Sequence, residues 1–282
     1  MDGDLGDFLR SRRARIQPQD VGLPAHGRRR VPGLRREEVA QLAGVSVDYY
    51  IRLEQGRGQS VSDAVLDAVA RVLKLDETEH AHLHDVARPA KRAPKQGRPC
   101  GGSQKVRPGL QLLLDTIEKA PAFVFGRRMD VLAWNAMGDA LLGYSTQSPR
   151  ERNVLRQVFL DPSARDCYPD WAAVAAETVA YLRLDAGRHP EDKQLAALVG
   201  ELSLKSADFR RLWADHQVKE KTHGIKRIQH PVAGLLTIPY ETLTLPGDPD
   251  QLLVVYTPTP GSETAERLAL LGSWAPTSPS TA

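Results

Sequence analysis

Between Arg88 and Pro108 the chain carries four prolines and three glycines among basic residues, and almost nothing it could bury. Such a stretch cannot join a packed core and reads as a flexible basic linker. It cuts the 282 residues into two parts, in line with the soft prior of about two domains for that length. The reading is a domain over 1–88, a linker over 89–106, a second domain over 107–275 and a disordered tail over 276–282.

Apolar spacing in the first part is helical throughout. Leu5, Phe8, Leu9 and Ile16 fit one face of a first helix, and Val39, Leu42 and Ala43 fit a short second one. Gly44 breaks that pattern and Ser46 is a good N-cap for a third helix, on which Tyr50 and Leu53 face inward and which Gly56 ends. Val65, Leu66, Val69 and Leu73 form a fourth stripe, and a fifth helix starts near Asp76. Nothing alternates like a strand, so the expected first domain is all-α with five helices.

The second part mixes periods. Short strands are expected at 122–125 and 130–134, helices at about 151–159, 170–186, 191–203 and 206–216, and three further strands at 223–229, 234–245 and 252–257. A last helix is expected over 263–271. Two strands, a helical block and three strands make an α+β sheet domain.

The net charge of +3 is unevenly placed: residues 1–107 carry +6 and the remainder −3. Between Arg10 and Arg36 stand nine arginines, no lysine and one acid, Asp20. Arginine grips phosphate bidentately, so this is the cation expected of a polyanion contact. The run Arg36-Glu-Glu-Val-Ala-Gln-Leu-Ala-Gly-Val-Ser-Val-Asp-Tyr-Tyr-Ile-Arg-Leu-Glu-Gln-Gly-Arg57 is a short helix, a glycine turn and a second helix. That is the helix-turn-helix arrangement, whose second helix lies in the major groove of DNA.

In order, spacing and helix count, residues 4–88 resemble the XRE-type, phage-repressor-like helix-turn-helix family. The resemblance places Ser46, Val47, Asp48, Tyr49, Ile51 and Arg52 on the exposed side of the recognition helix, and Arg36 at the start of the helix that crosses the phosphate backbone. Arg35 and Arg36 oppose the helix dipole, a misplacement that suits a phosphate contact and that Glu37 and Glu38 offset. Arg57 joins the basic set. Where the family has a short turn, this chain has a Pro/Gly/Arg-rich insertion between Ile16 and Leu34. Its Arg28, Arg29 and Arg30 either add phosphate or minor-groove contacts or form a solvated basic loop. The recognition helix has no Gln, no Asn and no paired Arg, the strong base readers, so it leaves the operator sequence open.

The second part carries, in order, Trp134-Asn135, Arg152-Asn153, Phe159-Leu160-Asp161-Pro162, Asp170-Trp171, Leu182-Arg183, Phe209-Arg210-Arg211-Leu212-Trp213 and His230-Pro231-Val232-Ala233-Gly234. Together these resemble the ligand-binding domain of the MmyB-like regulators. The resemblance implies a PAS-like antiparallel sheet with helices over one face, and a fatty acid is a known ligand in that family. Phe123, Trp134, Phe159, Trp171 and Trp213 are the candidates to line an apolar cavity, although each also suits an ordinary core. Arg183 and His230 are the candidates to hold a carboxylate.

No G-x-G-x-x-G, G-x-S-x-G or H-E-x-x-H is present, so neither catalytic residues nor a cofactor are expected. His80 and His84 share a helix face, but no third ligand stands near them in sequence and zinc needs three or four; they read as a solvated helix end. Cys100 and Cys167 are too few for a disulfide framework, which suits a reducing cytoplasm. No apolar run reaches the length of a membrane span. The expectation is a homodimeric one-component regulator that binds double-stranded DNA, represses, and senses a small apolar effector such as a fatty acid. The alternative is a DNA-binding scaffold whose second domain binds a protein partner and no small ligand.

Overall fold

The computed structural model describes residues 3–24, 31–57, 61–88 and 104–274. Two compact units emerge, and neither is a single stretch of chain. The first comprises Met1–Arg98, Arg183–Asp192 and Trp213–Glu220; the second comprises Pro99–Leu182, Lys193–Leu212 and Lys221–Ala282.

The first unit is built on α1 (Gly3–Arg13), α2 (Arg36–Ala43), α3 (Val47–Glu54), α4 (Asp63–Val72) and α5 (Glu77–Ala87). Its local signals act as expected. Gly44 closes α2 at φ +69°, returning its N–H to the Ala40 and Gln41 carbonyls, a left-handed conformation that glycine adopts without cost. The Ser46 hydroxyl accepts the Tyr49 N–H at 3.1 Å and starts α3. Asp76 and Glu79 cap α5 reciprocally, Asp76 Oδ1 accepting the Glu79 N–H at 2.8 Å and Glu79 Oε2 the Asp76 N–H at 3.3 Å. Leu5, Phe8, Leu9, Val39, Tyr50, Leu53, Leu66, Val69 and Leu83 share one core, which Leu184 and Val218 also enter. One expectation shifts: α1 stops at Arg13, and Ile16 packs on the core from the loop that follows. Pro18, whose ring fixes φ, opens a single 3-10 turn there (Pro18–Val21).

The second unit holds a five-stranded antiparallel sheet of β1 (Ala122–Gly126), β2 (Val131–Trp134), β3 (His223–His230), β4 (Gly234–Thr244) and β5 (Gln251–Tyr256), in the order β2-β1-β5-β4-β3. α6 (Pro108–Thr116) precedes the sheet. Between β2 and β3 run α7 (Ala136–Leu142), α8 (Val154–Leu160), α9 (Ala164–Cys167), α10 (Trp171–Arg188), α11 (Lys193–Lys205) and α12 (Ala207–Ala214); α13 (Glu263–Trp274) follows β5. The helix α10 contributes its residues to Leu182 to the second unit and those from Arg183 to the first. One sheet face carries the main core, from Phe123 and Trp134 to Ile228, Ile238 and Val254. On the other face α6 covers β1, β2 and β5 through Leu110 and Leu114 against Val124, Ala133 and Leu253. That covering helix adds to the expectation of helices over one face.

Two asparagines of the sequence motifs prove to be staples. Buried Asn135 caps α7 by accepting the Gly138 N–H at 2.8 Å, accepts the Ala122 N–H at 3.0 Å and donates to the Ala120 carbonyl at 2.8 Å. Buried Asn153 donates to the Arg128 carbonyl at 2.9 Å and to Asp130 at 2.8 Å while its carbonyl oxygen accepts the Arg156 N–H. Each satisfies several polar groups that burial would otherwise leave unpaired. Among the described residues no helix is long and apolar enough to cross a membrane.

Candidate nucleic-acid interface and ligand core

The recognition helix shows how one eight-residue helix divides its faces. Tyr50 and Leu53 are buried, while Ser46, Asp48 and Arg52 are exposed and Tyr49 and Ile51 are half-buried. Val47 is 36% exposed at the helix start, where apolar side chains normally seek cover. Arg52 reaches back to the Asp48 carbonyl at 3.4 Å, along the exposed face. Arg35 and Arg57 are exposed as well. Arg28, Arg29 and Arg30 lie outside the described residues.

Arg36 has a second partner that its sequence position did not reveal. Its Nε donates to Glu54 Oε2 at 2.6 Å, and Arg13 Nε donates to Glu54 Oε1 at 2.7 Å. The Glu54 carboxylate is wholly enclosed, whereas the Arg36 side chain keeps 44% of its surface in solvent. This shared carboxylate ties α1, the start of α2 and the end of α3 together. The contact holds Arg36 at the α2 N-terminus with part of its guanidinium free to face outward. The bond to Glu54 raises its pKa, so it stays cationic.

The ligand-lining candidates separate into two groups. Phe123 and Trp134 are buried in the main core of the second unit, and Phe159 and Trp171 pack against it. Phe123 stacks on Phe125 at 5.9 Å and meets Tyr144 and Tyr256 edge-on at 5.7 and 5.4 Å. Trp171 donates its indole N–H to the Val158 carbonyl at 2.9 Å. Arg183 and Trp213, by contrast, belong to the first unit. There the Arg183 guanidinium lies 3.9 Å from the Trp213 ring centre, donates to the Trp213 carbonyl and faces Asp4 at 3.5 Å. Burial lowers its pKa to about 10, against the pull of Asp4 and Asp7. Arg183 and Trp213 are thus paired with each other within the first unit.

His230 sits at the β3–β4 turn, where its Nδ1 accepts the Val232 and Ala233 N–H groups at 3.2 and 3.1 Å. Burial lowers its pKa, countered by a hydrogen bond to the Ala140 backbone. A nitrogen accepting two amides carries no proton, so this imidazole shapes a turn as a neutral ring.

Tyrosines also meet the aromatic core. Tyr144, Tyr168 and Tyr256 are buried. Desolvation raises all three pKa values first, and Cys167 together with a neighbouring phenol adds to each: Tyr256 for Tyr144, Tyr144 for Tyr168 and Tyr240 for Tyr256. They remain neutral donors inside an apolar wall. Arg152 lies over the Trp134 ring at 4.8 Å and donates to the Tyr144 carbonyl at 2.9 Å, at the margin of the same cluster. The Phe and Trp residues were visible in sequence; their gathering with the tyrosines into one core depends on the fold.

Comparison with known families agrees with both halves. Residues 4–83 match a helix-turn-helix domain family, and residues 106–271 match the MmyB-like transcription regulator ligand binding domain. No individual curated protein gave a match. A helix-turn-helix domain implies DNA as a partner, and a ligand-binding domain implies a small molecule. With the second match covering more than half of the residues, the chain belongs to the MmyB-like transcription regulators.

Proposed function

We propose that the protein is a homodimeric, effector-controlled repressor of the cytoplasm, whose second domain takes a small apolar ligand such as a fatty acid. The observation that carries the DNA half is the recognition helix itself. It leaves Val47, Asp48 and Arg52 outward, flanked by Arg35, Arg36 and Arg57, while Tyr50 and Leu53 hold it to the core. Val47, Asp48 and their neighbours read bases; the arginines take phosphates.

The ligand half rests on the aromatic wall of Phe123, Trp134, Phe159 and Trp171, with neutral phenols beside it. An acyl chain gains about 0.8 kcal/mol per buried methylene before ordering costs, so few polar contacts are needed. Dimerisation suits two-fold operators. Ile225, Leu235 and Leu243 stand exposed on the outer side of β3 and β4, an apolar surface that a second copy would cover.

A second reading, a scaffold whose second domain docks a protein, draws on the same outer surface and on the full burial of Phe123. The experiment is to select duplexes from a random pool with the full chain, then titrate fatty acids of graded length against the selected duplex. Release of DNA by an acyl chain supports the repressor. Tight, sequence-selective binding that no fatty acid alters or is bound alongside favours the scaffold, and absence of selective binding overturns both.

A further inference from the structure

On α5, His80 and His84 stand one turn apart, and α4 supplies what the sequence neighbourhood lacks. Asp67 Oδ1 lies 2.8 Å from His80 Nε2 and 3.1 Å from His84 Nε2. The ligating atoms of these three residues all lie within 4.8 Å of one another. We propose that Asp67, His80 and His84 form a binding site for a divalent transition metal of the zinc type, which pins α5 to α4.

The spacing fits that chemistry. Zinc bonds of about 2.0–2.1 Å to imidazole and carboxylate place tetrahedral ligands about 3.3–3.4 Å apart, so each histidine needs to withdraw from the carboxylate by a few tenths of an ångström. One carboxylate and two imidazoles select Zn²⁺ or its neighbours Co²⁺ and Ni²⁺ over Mg²⁺ and Ca²⁺, which want oxygen alone. The side chains are reachable, with 41%, 27% and 50% of the His80, His84 and Asp67 surfaces exposed. Three protein ligands leave a fourth position for water.

A further layer supports the site. His84 Nδ1 faces Asp63 Oδ1 at 3.3 Å, and the same carboxylate oxygen takes Arg88 Nη1 at 2.6 Å. Arg88 is itself anchored through Nε on the Val61 carbonyl at 3.0 Å. A carboxylate behind the second ring nitrogen fixes the tautomer that leaves Nε2 as a lone-pair donor, the usual arrangement behind a metal-bound histidine. The two rings meet edge-on at 4.8 Å, and both Nε2 atoms approach one oxygen, Asp67 Oδ1.

The test uses the full chain stripped with a chelator and titrated with Zn²⁺ against a chromophoric competitor, then with Co²⁺ followed by visible absorption. One ion should bind at this site, with proton release and weaker uptake as pH falls. His80→Gln, His84→Gln and Asp67→Asn should each weaken it by about 100-fold or more, and Asp63→Asn by about 10–100-fold. Unchanged affinity in all three ligand variants, or no uptake by the parent chain, overturns the proposal. Should the variants fail to fold, the imidazole nitrogen resonances of the parent chain decide: Zn²⁺ must shift those of His80 and His84 and leave His223 unmoved.

Discussion

Arg36 and Arg13 grip opposite oxygens of one buried carboxylate, Glu54, at 2.6 and 2.7 Å. The pairing makes the end of the recognition helix part of the same rigid body as α1 and the start of α2. Removing one partner of a buried ion pair leaves an uncompensated charge and costs about 3–5 kcal/mol. Arg36 is partly solvated, so Glu54→Ala should fall near the low end, about 3 kcal/mol, read as a lower denaturant midpoint for the first unit. An unchanged midpoint would show that the carboxylate contributes nothing net.

The same helix pair is held at close quarters by Gly6. A methyl group there would meet the Glu54 carbonyl oxygen at 2.0 Å, well inside contact distance. Gly6→Ala should push α1 off α3 and cost about 1–3 kcal/mol, the usual range for overpacking. It should also weaken DNA binding, because the recognition helix loses its backing. Thermal unfolding and duplex anisotropy on the same sample check both effects.

Much of this architecture is legible in the order of residues, for identifiable reasons. Gly44, Ser46 and Asp76 act on their own neighbours, so their turns and caps follow from local chemistry. The strand period of two shows in β4, where Leu236, Ile238 and Tyr240 are buried and Leu235, Thr237 and Glu241 are exposed. What was not legible is tertiary. Arg183 sits on a continuous helix, and no local pattern says that its end joins the first unit rather than the aromatic core. Asp67 lies thirteen residues before His80, and only the packing of α4 on α5 brings them together. Gly6 in a helix looks like a weak helix former until the opposing carbonyl is seen.

DNA binding should be steeply salt-dependent, since each neutralised phosphate contributes about −0.9 to the log–log slope. Arg52 is exposed on the recognition helix and bonded to its own helix backbone at 3.4 Å, so its loss spares the fold. Arg52→Ala should weaken all duplexes similarly and flatten the slope by about one unit. Val47 or Asp48 substitutions should instead change which sequences are selected. A wild-type slope for Arg52→Ala would remove that arginine from the phosphate set.

If an acyl chain enters the aromatic core, ligand affinity should rise with chain length until the cavity is full. The phenols of Tyr144 and Tyr256, held neutral by burial, are suited to donate to the acid end. Tyr144→Phe and Tyr256→Phe should then reduce the preference for a fatty acid over its methyl ester by about tenfold each, equivalent to a hydrogen bond of about 1.4 kcal/mol. Thermal shifts with acid and ester, measured side by side, give the ratio. Equal preference in parent and variants would move the acid end elsewhere.

One buried and one half-buried histidine, His82 and His216, make stability of the first unit pH-dependent. Desolvation lowers the His82 pKa from 6.5 to about 3 and that of His216 from 6.5 to about 4, with Arg183 adding to both. Above pH 6.5 both rings are neutral folded or unfolded, so they add no slope. As pH falls below 6.5, the unfolded chain takes up protons that the folded chain refuses, and stability is lost until the folded values near 4 and 3 are reached. His82 packs edge-on to Phe8 at 5.0 Å, and its buried Nδ1 has no hydrogen-bond partner among the described residues. His82→Leu should therefore keep the packing, remove an unpaired polar atom and flatten the decline between pH 6.5 and about 4. Most of that window lies above the range where ordinary carboxylates titrate, so the change in slope reports on histidine. Unfolding free energies of parent and variant, measured across it, should diverge as the medium becomes more acidic, the variant keeping more of its neutral-pH stability than the parent. Parallel curves would mean that His82 takes up its proton without leaving the core.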